Sequence, residues 1–128
     1  MRFSISIPQL DATGFDAAGL RSYLARAEEL GFDGGWVLEQ IIGEAPLLAP
    51  LELLAYAAAC TDRLRLGVAV LVSSLHEPLQ LAAAVTTVDR ISLGRLDVGV
   101  APAAAFVGSP PSGWTRRHSC RVSPKACS

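Results

Sequence analysis

Hydrophobic positions change period along this chain, and the changes mark its elements. In RFSISIP, Phe3, Ile5 and Ile7 alternate with Ser4 and Ser6, a period of two that predicts a strand ending at Pro8. In FDAAGLRSYLARAEELG, the positions Leu20, Tyr23 or Leu24, Ala27 and Leu30 recur at helical spacing, and Gly31 stands where a helix ends. GGWVLEQ predicts a short second strand. After a loop from Gly43 to Pro50, LELLAYAAACT predicts a helix rich in the strongest helix former. RLRLGVAVLV is nearly all apolar at its far end, as a strand buried on both faces is. Pro78 opens a helical run, PLQLAAAVTTVDRIS, that carries to Gly94, and RLDVGV predicts a fourth strand ending at Val100.

The order βαβαβαβ, with connections of this size, forces parallel pairing and right-handed crossovers. A doubly wound sheet and a barrel both satisfy it. PQLDATGFD, after the first strand, offers one glycine and no G-x-G-x-x-G phosphate cradle, which favours the barrel. A whole barrel takes about 250 residues, so the expected fold class is α/β, a partial (β/α)8 TIM barrel of about four βα units with an irregular C-terminal tail. Residues 1–100 form the patterned part and 101–128 the tail, where Ala, Pro, Ser, Gly and Arg follow no period.

Composition narrows the class. The chain is 51% apolar and 18% charged, enough for one packed domain. No apolar run approaches the roughly 20 residues a membrane helix needs, so a cytoplasmic location with no membrane partner is expected. Cys60, Cys120 and Cys127 are odd in number and lack C-x-x-C spacing, which indicates neither a disulfide framework nor a metal site. Cys60 reads as a packing residue. The first hundred residues hold all twelve acids beside seven arginines, a balance of −5; the tail has Arg116, Arg117, Arg121 and Lys125 with no acid, a balance of +4. That tail lacks the clustered basic density of a nucleic-acid arm, and no nucleic-acid partner is expected.

In a βα barrel the active site is built at the C-terminal strand ends. Those ends hold Pro8 and Gln9, Glu39 and Gln40, Val72 to Ser74, and Gly99 to Ala101. Ser73 and Ser74 sit in no G-x-S-x-G and read as turn formers. His76, beside Glu77 and Pro78, reads as a loop histidine at a helix start, and His118 lies in the unpatterned tail. Glu39 reads on its own as an exposed loop carboxylate. Chemistry alone names no catalytic residue.

FDGGWVLEQ, RLRLGVAVLVSSLHEPLQLAAAVTTVDRISLGRLDVGV and the opening MRFSISIPQ resemble the N-terminal half of the bacterial luciferase-like monooxygenase family. Members are (β/α)8 oxidoreductases that use reduced flavin with O2, or hydride transfer with coenzyme F420, on small organic substrates. The resemblance implies FMN or F420 as cofactor, with its ring across the strand ends. Glu39 and Gln40 stand where the family often has an acid followed by His; Gln40 departs, because an amide forms hydrogen bonds but does not shuttle a proton. Ala69 and Val70 fall where many members have a non-proline cis peptide forming a bulge behind the ring. Gly99 lets backbone approach the cofactor. The family's phosphate site belongs to later strands. The implied cofactor-binding set is therefore Glu39, Gln40, Ala69, Val70 and Gly99. A fragment of this kind has unpaired sheet edges that invite self-association.

The family follows RLDVGV with a glycine-rich turn such as G-T-G-G-G-F. Back-translating Ala101 to Val107 as GCA CCG GCG GCG GCT TTC GTC and restoring one G gives GGC ACC GGC GGC GGC TTT CGT, which is G-T-G-G-G-F-R. The same shift turns Trp114–Thr115 into an obligatory Asp and permits F-G-V-D-P around it. Residues 101–128 thus read as a frameshift product, and the chain as truncated and inactive alone. The alternative reading is a short protein acting by homo- or hetero-association.

Overall fold

The computed structural model describes residues 1–10, 14–40 and 47–102. Its elements are β1 (Ser4–Ser6), α1 (Ala17–Glu29), β2 (Gly34–Val37), α2 (Pro50–Cys60), β3 (Arg65–Val72), a single 3-10 turn (Ser73–Leu75), α3 (Pro78–Ile91) and β4 (Leu96–Ala101). Most of the frameshift reading, residues 103–128 with His118, Cys120 and Cys127, lies outside the described residues.

Helix boundaries follow local chemistry. Asp16 caps α1, its Oδ1 accepting from Gly19 N–H at 2.8 Å, and Gly31 leaves the helix at φ +80°. Pro50 opens α2 and Pro78 opens α3, where a missing N–H costs nothing; Glu77 then accepts from Gln80 N–H at 2.9 Å.

The sheet runs β1-β2-β3-β4 with every pair parallel. Strand order therefore never reverses, and right-handed crossovers place every helix on the same face. That is the winding of a barrel wall; a doubly wound sheet would step back across its first strand. α1 packs on α2 and α2 on α3. Beneath them one core joins Leu20 and Leu24, Leu54 and Ala57, and Val88 to Ile7, Leu66, Val68 and Leu71 of the strands.

Strand parity separates the two faces. Leu66 and Val68 point to the helices and are fully buried, whereas Arg65, Gly67 and Ala69 belong to the other face, the barrel interior. On that inner face Trp36 pairs with Gly67, and a Cβ at Gly67 would collide with the indole ring, so the glycine makes the space for it. Ala69 is exposed, which corrects the expectation that β3 is buried on both faces. Two apolar positions lie outside the core. Phe3 and Leu30 are 56% and 60% exposed: Phe3 precedes the edge strand β1, and Leu30 caps α1 beyond the packed stripe. Of Tyr23 and Leu24, Leu24 is the core residue; Tyr23 donates its hydroxyl to Ser6 O at 2.8 Å.

Charged side chains tie the opposite end of the sheet, where strands begin. Arg95 donates to the carbonyls of Ser92 (2.7 Å), Leu64 (2.9 Å), Ala58 (3.1 Å) and Thr61 (2.9 Å) and to Thr61 Oγ1, joining the ends of α2 and α3 to the start of β3. Arg65 meets Asp97 in a bidentate pair of 2.7 and 2.6 Å, and this holds the Asp97 carboxyl below the usual range. Glu28 Oε1 gathers the N–H groups of Asp62, Arg63 and Leu64 at 3.1, 2.6 and 2.7 Å. Partial burial raises the Glu28 pKa, but those donors and the Arg63 charge outweigh it and hold the carboxyl below its ordinary value.

Two outcomes follow from these contacts. Gly67→Val displaces the indole and costs about 1–3 kcal/mol, measured as a lower urea midpoint with shifted Trp36 fluorescence in a Trp114→Phe background. Because the folded pKa of Glu28 is depressed, its stabilisation is complete above the unfolded glutamate value and fades as pH falls through the folded value. Acid unfolding of Glu28→Gln should accordingly show a shallower slope over that acidic window.

Candidate functional site

At the C-terminal ends the strands stop at different heights, and side chains continue the hydrogen-bond ladder where backbone does not. β1 pairs as far as Ile7 N–H, which donates to Trp36 O at 2.9 Å. Beyond that bond the Leu38 N–H and C=O are met by a side chain. Gln9 supplies both halves of the missing pairing: its Oε1 accepts from Leu38 N–H at 2.7 Å and its Nε2 donates to Leu38 O at 2.8 Å. The same amide reaches Leu48 O at 3.3 Å, and Leu48 N–H donates to Gln9 O at 2.9 Å. Gln9 is only 7% exposed and fastens the tops of β1 and β2 to the segment entering α2.

Glu39 repeats the device one strand further on. β2 ends at Val37, paired with Val68, while β3 runs on to Val72. Beyond β2 the Val72 N–H has no strand partner on that side, and Glu39 Oε2 accepts from it at 2.6 Å. Glu39 Oε1 lies 2.7 Å from Nε2 of His76. Glu39 is 6% exposed, so it is a buried, fully engaged carboxylate and not the exposed loop acid its sequence position suggests. A buried carboxylate needs this many donors to offset lost hydration. His76, read as a loop histidine, belongs to this constellation. What exposes it from sequence is the length mismatch between β2 and β3, visible only with the register in hand.

Gln40 is exposed and lines, with Glu39 and His76, a cleft of about 530 Å3 between the first turns of α2 and α3. The other candidates gather elsewhere. Between β3 and β4 the register passes from Val68↔Val98 to Leu71↔Val100, so β3 carries one extra residue. The bulge contains Ala69 and Val70, joined by a cis peptide. Gly99 lies against it: a Cβ there would sit 3.1 Å from Val70 Cγ1 and 3.2 Å from Val68 O. The five residues thus form two groups, Glu39 and Gln40 at the cleft, and Ala69, Val70 and Gly99 at the bulge. Ser73 Oγ donates to Ala101 O at 3.3 Å, bracing β3 against β4 above it. No group of three metal-ligating side chains occurs among the described residues, and no helix among them is long and apolar enough to cross a membrane.

A singly wound parallel wall with a bulged third strand and polar strand tops defines a fragment of a βα-barrel enzyme fold. The sequence description of the luciferase-like monooxygenases matches residues 1–112, and the chain belongs to that family. It is 35% identical over 75 residues to the alkanal monooxygenase alpha chain of Photorhabdus luminescens, covering 58% of this chain and 21% of the relative. Among solved structures it resembles the monooxygenase RslO1 from Streptomyces bottropensis, with 34% identity and TM-score 0.64 over 78% of this chain and 32% of that one. It also resembles the coenzyme F420 dependent tetrahydromethanopterin reductase from Methanopyrus kandleri, with 25% identity and TM-score 0.62 over 77% and 26%. The chain spans about a fifth of the length of the curated relatives it matches.

Gln9→Leu leaves the Leu38 N–H and C=O without partners, at about 1–3 kcal/mol for each orphaned group. The expected result is a lower urea midpoint and faster hydrogen exchange at the Leu38 amide. Gln9→Glu should recover only part of the loss, because a carboxylate accepts from Leu38 N–H but cannot donate to the two carbonyls.

Proposed function

We propose that this chain is the N-terminal part of a flavin- or coenzyme F420-dependent oxidoreductase acting on a small organic substrate. The observation that carries the reading is the floor at the bulge. Ala69, Val70 and Gly99 leave an inner-face surface without large side chains, the shape a planar isoalloxazine or deazaflavin ring requires. These residues fit the ring, and Gln40 would contribute an amide at the strand tops. When bound, FMN would supply electron transfer to O2, and F420 would supply a hydride. The chain's own part is to support the ring through the bulge and to keep the neighbouring loops in place through Gln9 and Glu39. The free Cys60 fits a reducing, cytoplasmic setting.

Residues 101–128, on this reading, are the product of a one-base shift at the codon for Ala101. The restored G-T-G-G-G-F and F-G-V-D-P support it, as does the absence of acids from the tail. The consequence is a chain that holds the floor of a cofactor site but lacks its phosphate-binding part, and does not turn over alone. A second reading, association through the sheet edges, draws on the exposed Phe3 and Val100, 56% and 57% accessible, beside and on the outer strands.

DNA sequence from the codon for Arg95 onward tests the first reading. One restored base should open a long frame with further βα units, and the absence of such a frame would overturn it. In a fluorescence titration the 128-residue chain should bind FMN weakly and the restored-frame protein tightly. Sedimentation separates the second reading, which alone requires a folded complex of fixed stoichiometry.

A further inference from the structure

Gln40, at the strand tops, is a neutral amide that forms hydrogen bonds but accepts no proton, and the cleft it lines also holds a histidine. Glu39 Oε2 is fixed by the Val72 N–H, which aims Oε1 at His76 Nε2, 2.7 Å away. A carboxylate only accepts, so Nε2 carries a hydrogen, and in the neutral ring Nδ1 then keeps its lone pair. The Glu39 side chain is 2% exposed and the His76 ring 25%, and both border the cleft together with Gln40. Glu39 engages Nε2 and leaves Nδ1 on the far side of the ring. Two other carboxylates border the cleft: Glu77 is committed to the Gln80 N–H that caps α3, and Glu52 stands in the first turn of α2. Gln40 and Gln80 add only neutral amides.

We propose that His76 is the proton acceptor this chain presents at the strand tops, with Glu39 as its positioning residue. Its ligand is a molecule that brings a hydroxyl or N–H into the cleft. In the step, the donor's O–H or N–H bond breaks, the proton joins Nδ1, and the bonding pair stays on the donor. The imidazolium so formed is held by the Glu39 carboxylate while Nε2 keeps its hydrogen. The role in a redox reaction rests on the oxidoreductase reading; the arrangement of the pair does not.

The test uses the 128-residue chain with His118→Gln, which leaves His76 as the single histidine. Diethyl pyrocarbonate should acylate its free ring nitrogen readily, and Glu39→Gln should slow the reaction several-fold while helical circular dichroism is unchanged. No reaction at His76, or an equal rate in Glu39→Gln, overturns the proposal. Should Glu39→Gln unfold, ring 15N shifts of the otherwise unsubstituted chain decide alone: the Nε2–H tautomer upholds the proposal and the Nδ1–H tautomer overturns it. Neither measurement needs a cofactor, so failure here is distinguishable from failure of the flavin titration.

Discussion

Parallel strands of unequal length leave backbone groups without partners at the C-terminal edge of the sheet, and this structure is organised around satisfying them. Each buried N–H or C=O left over costs on the order of 1–3 kcal/mol, so the chain brings polar side chains to them. Gln9 stands in for a strand residue beside Leu38, and Glu39 does so beside Val72. In both cases the neighbouring strand has stopped, and the next polar side chain along the chain completes the ladder. The site's polar character is therefore a consequence of how the sheet ends. Its location at the strand tops is the same fact seen from the ligand's side.

The two ends of the sheet divide the work. Where the strands begin, Arg95 and Glu28 use many hydrogen bonds from one side chain to fasten helix ends and turns, and Arg65 pairs with Asp97 on the inner face. Where the strands end, the groups are fewer and lie beside open space: the cleft next to His76, and the small-residue floor at the bulge. Rigid fastening at one end and accessible polar groups at the other is the division βα barrels generally show. Family membership agrees with it.

Helical periodicity made α1, α2 and α3 legible, and Gly31, Pro50 and Pro78 bounded them, because caps and apolar spacing are local properties. Strand identity was legible too, and the lack of a G-x-G-x-x-G after the first strand already favoured a barrel. Strand length was not. GGWVLEQ reads as one strand, yet pairing stops at Val37, since the ladder depends on how far β1 and β3 extend alongside. Alternation put Phe3, Ile5 and Ile7 on one face, but it could not say how far along that face the cover extends: Ile7 is buried and Phe3 is exposed.

The sequence by itself determined the element order, the helix boundaries and the family, all of which follow from local periodicity, turn chemistry and quoted motifs. It also placed Gln9, Glu39 and Gly99 at strand ends, and the resemblance put Ala69 and Val70 at a bulge. Only the tertiary structure decided that Glu39 is buried between Val72 and His76, that Gln9 takes the place of a backbone pair, and that Ala69 and Val70 face Gly99 across a bulge. Those relations depend on register between strands about thirty residues apart, and register is a property of the assembled sheet that no single stretch of chain contains.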